Sequence, residues 1–347
     1  MKIIKNRTIC YVAGASGGHI IPSLTEAKKM REDGKFDHII FFTSNALLDK
    51  KIIEKSNIID FHIAIKIKSF PGKRIWNYPL FCVTFLVAFL KSLRYLIKFK
   101  PKCVVSMGGL ISIPVCLAAY CMRIPFDIYE LNVEPGKANN LLSRYARTIF
   151  ICFEQTRKFF HEQNCKLTSY PIRYNEKNKI LSSQAIKQLS QACEDFSSKR
   201  KTIFVLGGSQ GSQFLNNLLK RLIEFDPEIA KKVQLIHQTG AYDAFDWKLF
   251  YETHKIPAII FDFNHDLAPY YCAADLVICR SGAGSLAETI FFQKKCITIP
   301  LETSSTAHQK LNATAYAKEY PKLVKIIFQH ELQNSILPLH ELMNKIL

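Results

Sequence analysis

Twice in this chain a short apolar strand runs into a glycine-rich turn and then into a helical pattern, and this doubled unit restricts the fold more than any other feature. The first copy is Thr8 to Ala13, then Gly14-Ala15-Ser16-Gly17-Gly18-His19, then a helical period from Ile21 to about Arg31. The second is Thr202 to Leu206, then Gly207-Gly208-Ser209-Gln210-Gly211-Ser212, then Gln213 to Glu224. Alternation continues after each. The first half adds His38 to Thr43, Phe61 to Ile67, a long helix Ile75 to Phe99, Cys103 to Ser106, Phe126 to Glu130 and a helix near Ala138 to Tyr145. The second adds Val233 to Gln238, Ala258 to Phe263, Leu276 to Arg280 and Cys296 to Pro300. Strands separated by helices imply parallel sheets covered on both faces, and 347 residues suit two cores better than one. The predicted class is α/β, with two Rossmann-like domains whose parallel sheets face a central cleft. A polar stretch from Tyr174 to Lys201 sets the boundary near Pro171 to Tyr174, giving domains 1–172 and 173–335. The last residues, 336–347, are expected to form a helix that can pack back on the first domain.

Charge narrows the partners. Lys and Arg number 47 against 29 Asp and Glu, and residues 1–100 alone hold 18 basic and 7 acidic side chains. Nucleic acid, an anionic membrane and phosphorylated substrates would each answer that charge. Without zinc-finger spacing, a ribonucleoprotein motif or a helix-turn-helix signature, nucleic acid is set aside. The basic residues instead flank an apolar segment: Lys73-Arg74-Ile75-Trp76 opens it, and Lys91, Arg94 and Lys98 follow as one stripe. That pattern suits a helix lying in a lipid interface, with the middle, Leu80 to Leu90, expected to pack on the first sheet. The uncharged run Tyr78 to Leu90 has 13 residues, short of the roughly 18 that span a bilayer. Met1 to Arg7 lacks the apolar core of a secretory signal, and eleven cysteines without a C-x-x-C pair read as reduced thiols. A cytosolic, membrane-peripheral protein is expected.

Neither glycine loop has the G-x-G-x-x-G spacing of dinucleotide binders or the Gly-Lys-Ser/Thr of nucleotide triphosphatases. Both can still bring backbone N–H groups and a helix N-terminus close to phosphate. His19 stands there as a general base, a phosphate ligand or a capping side chain. Cys279 to Glu288 forms a third such loop. A diphosphate could rest on it while Glu288 accepts ribose hydroxyls, although compensation of the helix dipole explains Glu288 as well. His308-Gln309-x-x-Asn312 gives one polar helix edge, or merely a solvated face. Lacking Asp-x-Asp or a His cluster, the chain is expected to need no metal and no cofactor.

In order and spacing these segments resemble the MurG-type N-acetylglucosaminyltransferases, which have the GT-B fold. The segments include Met107-Gly108-Gly109, Glu130-Leu131-Asn132, Pro171-Ile172-Arg173, His237-Gln238-Thr239-Gly240 and Ala274-Asp275 onward. The resemblance implies inverting transfer of N-acetylglucosamine from UDP-N-acetylglucosamine to undecaprenyl-pyrophosphoryl-N-acetylmuramyl-peptide, at the cytoplasmic face of the bacterial inner membrane. It implies that Arg173, Ser209, Gly211, Ser285, Glu288 and Gln309 bind the donor, with the backbone at Phe263 and Asn264 reading uracil. Gly17, Gly18, His19 and Asn132 would hold the acceptor, with His19 or Glu130 as base, and Lys73, Arg74, Trp76, Lys91 and Arg94 would face the membrane. Three departures stand out: Ala15-Ser16 replaces the usual Gly-Thr, Tyr129-Glu130-Leu131-Asn132 replaces His-Glu-Gln-Asn, and Gly284 replaces leucine. The alternatives are a GT-B enzyme glycosylating another lipid, a catalytically silent sugar-nucleotide-binding subunit and, more remotely, a UDP-sugar epimerase.

Overall fold

The computed structural model describes residues 7–14, 17–160, 164–241, 243–303 and 307–347. The chain divides into two compact units, Met1–Arg173 and Tyr174–Leu347. In the first, β1 (Thr8–Val12), α1 (Gly17–Glu32), β2 (His38–Ser44), α2 (Leu47–Glu54), β3 (Phe61–Ile65) and α3 (Tyr78–Phe99) come first. They are followed by β4 (Cys103–Ser106), α4 (Ser112–Cys121), β5 (Phe126–Glu130), α5 (Lys137–Leu142), β6 (Thr148–Ile151) and β7 (Cys165–Leu167). All strands pair parallel in the order β3-β2-β1-β4-β5-β6-β7. Every residue of β1 is buried, as a strand covered on both faces requires.

The second unit repeats the plan. It contains α6 (Ser182–Leu189), β8 (Lys201–Leu206), α7 (Gln213–Phe225), α8 (Ile229–Lys232), β9 (Val233–Gln238), α9 (Trp247–Thr253) and β10 (Ala258–Phe261). Then come α10 (Ala268–Ala273), β11 (Leu276–Cys279), α11 (Ala283–Phe291), β12 (Lys295–Thr298), α12 (Ala307–Glu319), β13 (Val324–Ile326) and α13 (Leu337–Ile346). Its parallel order is β10-β9-β8-β11-β12-β13. In each unit the chain order reverses beside the strand that feeds the glycine loop, between β1 and β4 and between β8 and β11. Open α/β sheets gather ligands at that switch point, beyond the strands' carboxyl ends.

Two expectations need correction here. Helix α13 was expected to pack back on the first domain, yet its buried Leu339 and Met343 share the second unit's core with Leu219, Leu222 and Ile299. Spaced i and i+4, they form one apolar face, and Lys295 Nζ donates to the Ile346 carbonyl at 2.9 Å. The second correction concerns α3. Of Leu80 to Leu90 only Ala88 is buried, while Leu80, Val83, Leu86, Val87 and Leu90 are each more than half exposed. The core takes Ala88, Ser92, Leu96 and Phe99, so the helix is anchored chiefly by its carboxyl half and its apolar front is left open. With the turn before it, Ile75–Phe99 is long and apolar enough by length and composition to cross a bilayer. The count of 13 stopped at Lys91, whose Nζ turns inward to donate to the carbonyl of Ala64, in β3, at 2.7 Å. Lys91 therefore ties the helix to the sheet layer instead of facing lipid, whereas Lys73, Arg74, Trp76 and Arg94 are exposed.

Candidate active site

In the first unit the loops after β1 and β4 meet backbone to backbone. A Cβ on Gly109 (φ +88°) would lie 2.9 Å from the Gly14 carbonyl oxygen, so only glycine fits. Ala15 and Ser16 lie outside the described residues. Gly17 is buried and Gly18 exposed at the start of α1. From the first turn of α1, His19 directs Nδ1 to the Gly14 carbonyl at 3.2 Å. A carbonyl only accepts, so Nδ1 carries the proton and Nε2 keeps its lone pair. That Nε2 and Asn139 Oδ1 both lie 3.6 Å from the point where a Cβ on Gly108 would stand. A side chain at position 108 would fill the space in front of both acceptors.

Glu130 ends β5 and is buried. One carboxylate oxygen accepts from the Asn132 N–H (3.0 Å) and Asn132 Nδ2 (3.2 Å), and the other from the Gly136 N–H (3.0 Å) and Asn139 Nδ2 (2.9 Å). Four donors occupy its lone pairs, so the expected base is by geometry the organiser of the loop 131–139. Asn139 Nδ2 also donates to the Tyr129 carbonyl at 3.2 Å. Both of these partners accept only, which fixes the amide orientation and leaves the buried Oδ1 without a hydrogen bond among the described residues. Asn139 is a residue that sequence reasoning missed; its isolation after Glu130 gave no periodic signal. Tyr129, where the family usually has histidine, stacks its ring on Phe150, centroids 4.5 Å apart, and its hydroxyl donates to Glu26 at 3.2 Å. Successive strand residues point to opposite faces, so Tyr129 and Glu130 serve different sides of the sheet.

In the second unit the loops after β8, β9, β11 and β12 collect at one end. Gly211 (φ +77°) and Gly240 (φ +87°) touch: a Cβ on Gly211 would stand 2.5 Å from the Thr239 carbonyl oxygen. Gly211→Ala is expected to cost about 2–4 kcal/mol in a denaturant titration. Gly136→Ala, whose methyl group meets nothing within 4 Å, should stay within about 0.5 kcal/mol of the parent. Arg280 links the loops, donating through Nε to Ser212 Oγ (3.0 Å) and through Nη1 to the carbonyls of Ile299 (3.2 Å) and Pro300 (3.3 Å). Burial pulls its pKa down to about 10, so it stays cationic at neutral pH. Sequence reading passed over Arg280 because one arginine after a strand has no distinguishing spacing.

Ser209 lies half-buried in the glycine loop, Ser285 half-buried in the first turn of α11, and Glu288 buried farther along that helix. Gln309 Oε1 accepts from the Leu301 N–H at 3.0 Å, and Asn312 Nδ2 donates to the Ser281 carbonyl at 3.4 Å, so α12 braces the loops after β11 and β12. Phe263 and Asn264 follow β10. Asn264 Oδ1 accepts from the Asp266 N–H and its Nδ2 donates to the Tyr270 hydroxyl, both at 3.0 Å, which holds that loop's backbone in place. Arg173 is the last residue of the first unit.

Residues 9–151 match the glycosyltransferase family 28 N-terminal domain and residues 202–346 the family's C-terminal domain. A relative from Thermodesulfovibrio yellowstonii is 31% identical over 97% of this chain and 90% of its own, and one from Geobacter metallireducens is 30% identical over 95% and 87%. Both are named UDP-N-acetylglucosamine–N-acetylmuramyl-(pentapeptide) pyrophosphoryl-undecaprenol N-acetylglucosamine transferase. Among solved structures, MurG of Acinetobacter baumannii superimposes with a TM-score of 0.70 at 22% identity, covering 98% of this chain and 90% of that one. A UDP-N-acetylglucosamine 2-epimerase gives 0.61 at 11% identity, covering 98% and 87%, which is a likeness of fold.

Proposed function

The chain belongs to glycosyltransferase family 28, with the MurG-type N-acetylglucosaminyltransferases, and from that membership we propose that it moves N-acetylglucosamine from UDP-N-acetylglucosamine onto undecaprenyl-pyrophosphoryl-N-acetylmuramyl-peptide. The observation that carries the mechanism is the contact of His19 Nδ1 with the Gly14 carbonyl, which makes Nε2 the lone-pair nitrogen of the neutral imidazole. Nε2 takes the proton from the acceptor sugar's hydroxyl, the oxygen attacks the anomeric carbon, and the bond to UDP breaks with inversion. Asn139 Oδ1 accepts from a second donor on the same acceptor. Charge growing on the departing diphosphate meets Arg280 and the backbone N–H groups of 207–212 and of α11's first turn. Ser209, Ser285, Glu288 and Gln309 hold the rest of the donor, with Arg173 and the backbone at Phe263 and Asn264.

The test is transfer of labelled sugar from UDP-N-acetylglucosamine to a short-chain lipid-linked muramyl-pentapeptide, with diacylglycerol as the competing acceptor. Transfer to the muramyl lipid, undiminished by a chelator, is the expected result. UDP binding without transfer by the pure protein would favour the silent subunit, and transfer to diacylglycerol would change the acceptor.

The same reading places the protein at the cytoplasmic face of the bacterial inner membrane. The open face of α3, Leu80, Val83, Val87 and Leu90, would enter the interface together with Trp76 in the turn before it, with Lys73, Arg74 and Arg94 beside anionic headgroups. Each basic residue near such a surface adds about 1 kcal/mol. Val83→Glu is expected to weaken binding to vesicles rich in phosphatidylglycerol about tenfold or more. Turnover on a soluble, short-chain acceptor should be unchanged. Equal binding by both proteins would move the membrane contact elsewhere.

A further inference from the structure

The segment His237-Gln238-Thr239-Gly240 has no part in the mechanism above, yet it carries a fully buried imidazole on β9. Asn216, on α7, donates through Nδ2 to the Thr239 carbonyl at 3.0 Å and to the Asp243 carboxylate. With its nitrogen so committed, Asn216 Oδ1 is left to accept, and its partner is His237 Nε2 at 3.0 Å. The imidazole therefore carries its proton on Nε2, and Nδ1 accepts from the Tyr251 hydroxyl at 2.8 Å. Every hydrogen-bond direction is thus set: Tyr251 to His237, His237 to Asn216, Asn216 to Thr239. The Trp247 ring packs perpendicular to the imidazole, 4.7 Å between centroids. Burial holds the imidazole neutral, its pKa pushed down to about 3.

The chain of bonds ends on the atom that abuts the glycine loop, for a Cβ on Gly211 would stand 2.5 Å from the Thr239 carbonyl oxygen. Asn216 also begins four residues after Ser212, and its N–H donates to the Ser212 carbonyl at 3.0 Å. We propose that His237 is a positioning residue for the donor diphosphate, holding the backbone of Gly207 to Ser212 through Asn216 and Thr239. This rests on the reading that the loop faces that diphosphate. Being uncharged, His237 acts by geometry alone, so its removal should be felt by ligands that carry phosphate and not by the nucleoside.

The experiment compares UDP with uridine by calorimetry in the full-length protein, with transfer kinetics alongside. His237→Leu removes both hydrogen bonds and is expected to weaken UDP about tenfold, or about 1.4 kcal/mol, with uridine within twofold. His237→Gln, which can still donate to Asn216 and accept from Tyr251, should restore UDP to within about threefold. Should His237→Leu fail to fold, Tyr251→Phe, which frees one end of the chain, is expected to weaken UDP alone by about threefold. Equal losses of UDP and uridine, or no loss of UDP, would overturn the proposal. If the parent protein binds UDP no better than uridine and Ser209→Ala changes neither, the premise about the loop falls and the proposal with it.

Discussion

Replacing His19 by alanine is expected to lower turnover by roughly 10²- to 10⁴-fold, the usual contribution of a positioned general base, while the dissociation constant for UDP stays within about twofold. Near the Gly108 space the imidazole offers one basic lone pair, and the bond to Gly14 fixes which nitrogen holds it. Alanine keeps the helix and loses one part-buried hydrogen bond, worth about 1 kcal/mol, so the fold should survive. His19→Gln is the sharper variant, because its amide can imitate the bond to Gly14 but offers no basic nitrogen, and it should be nearly as slow. Steady-state kinetics with the short-chain acceptor, beside calorimetry with UDP, check both. A fall in UDP affinity as large as the fall in turnover would take His19 out of the acceptor site.

Glu130→Ala should be the most damaging substitution to stability, at about 3–5 kcal/mol. It removes the shared acceptor of the N–H groups of Asn132 and Gly136 and of the amide nitrogens of Asn132 and Asn139. A buried donor left unpaired costs about 1–3 kcal/mol, and water entering the gap returns part of the sum. Glu130→Gln should fall between parent and alanine, since one oxygen is replaced by an NH₂ group facing donors. Denaturant unfolding measures the loss. If Glu130→Ala unfolded at the parent's midpoint yet lost its transfer activity, the carboxylate would have to act chemically, and the organising role assigned to it would be wrong.

Much of the scaffold could be read from period and glycine alone. Cys103 to Ser106, Phe126 to Glu130 and Val233 to Gln238 are strands with the expected limits, because buried parallel strands are short apolar runs bounded by polar turns. Helix α4, Ser112–Cys121, escaped notice because it is buried on most of its faces, and a helix apolar all round has no amphipathic period to detect. The site was legible only as a set of loops. His19 could be named from its place after Gly17-Gly18, but the nitrogen that keeps its lone pair depends on the Gly14 carbonyl. Glu130 could be named too, but nothing in its neighbours along the chain says that four donors converge on it.

What the sequence determined by itself is therefore local: strands, helix starts, the turns that need glycine, and the two-fold repetition of one βα plan. Those follow from the period of apolar residues and from backbone torsions, which act over a few residues. The tertiary structure decided the pairings across long separations, Lys91 with Ala64, Arg280 with Ser212, Asn216 with His237, and the open face of α3. Hydrogen bonds and burial depend on which groups share a place in space, and only the packing of sheets and helices brings residues 20 to 70 positions apart into reach of one another.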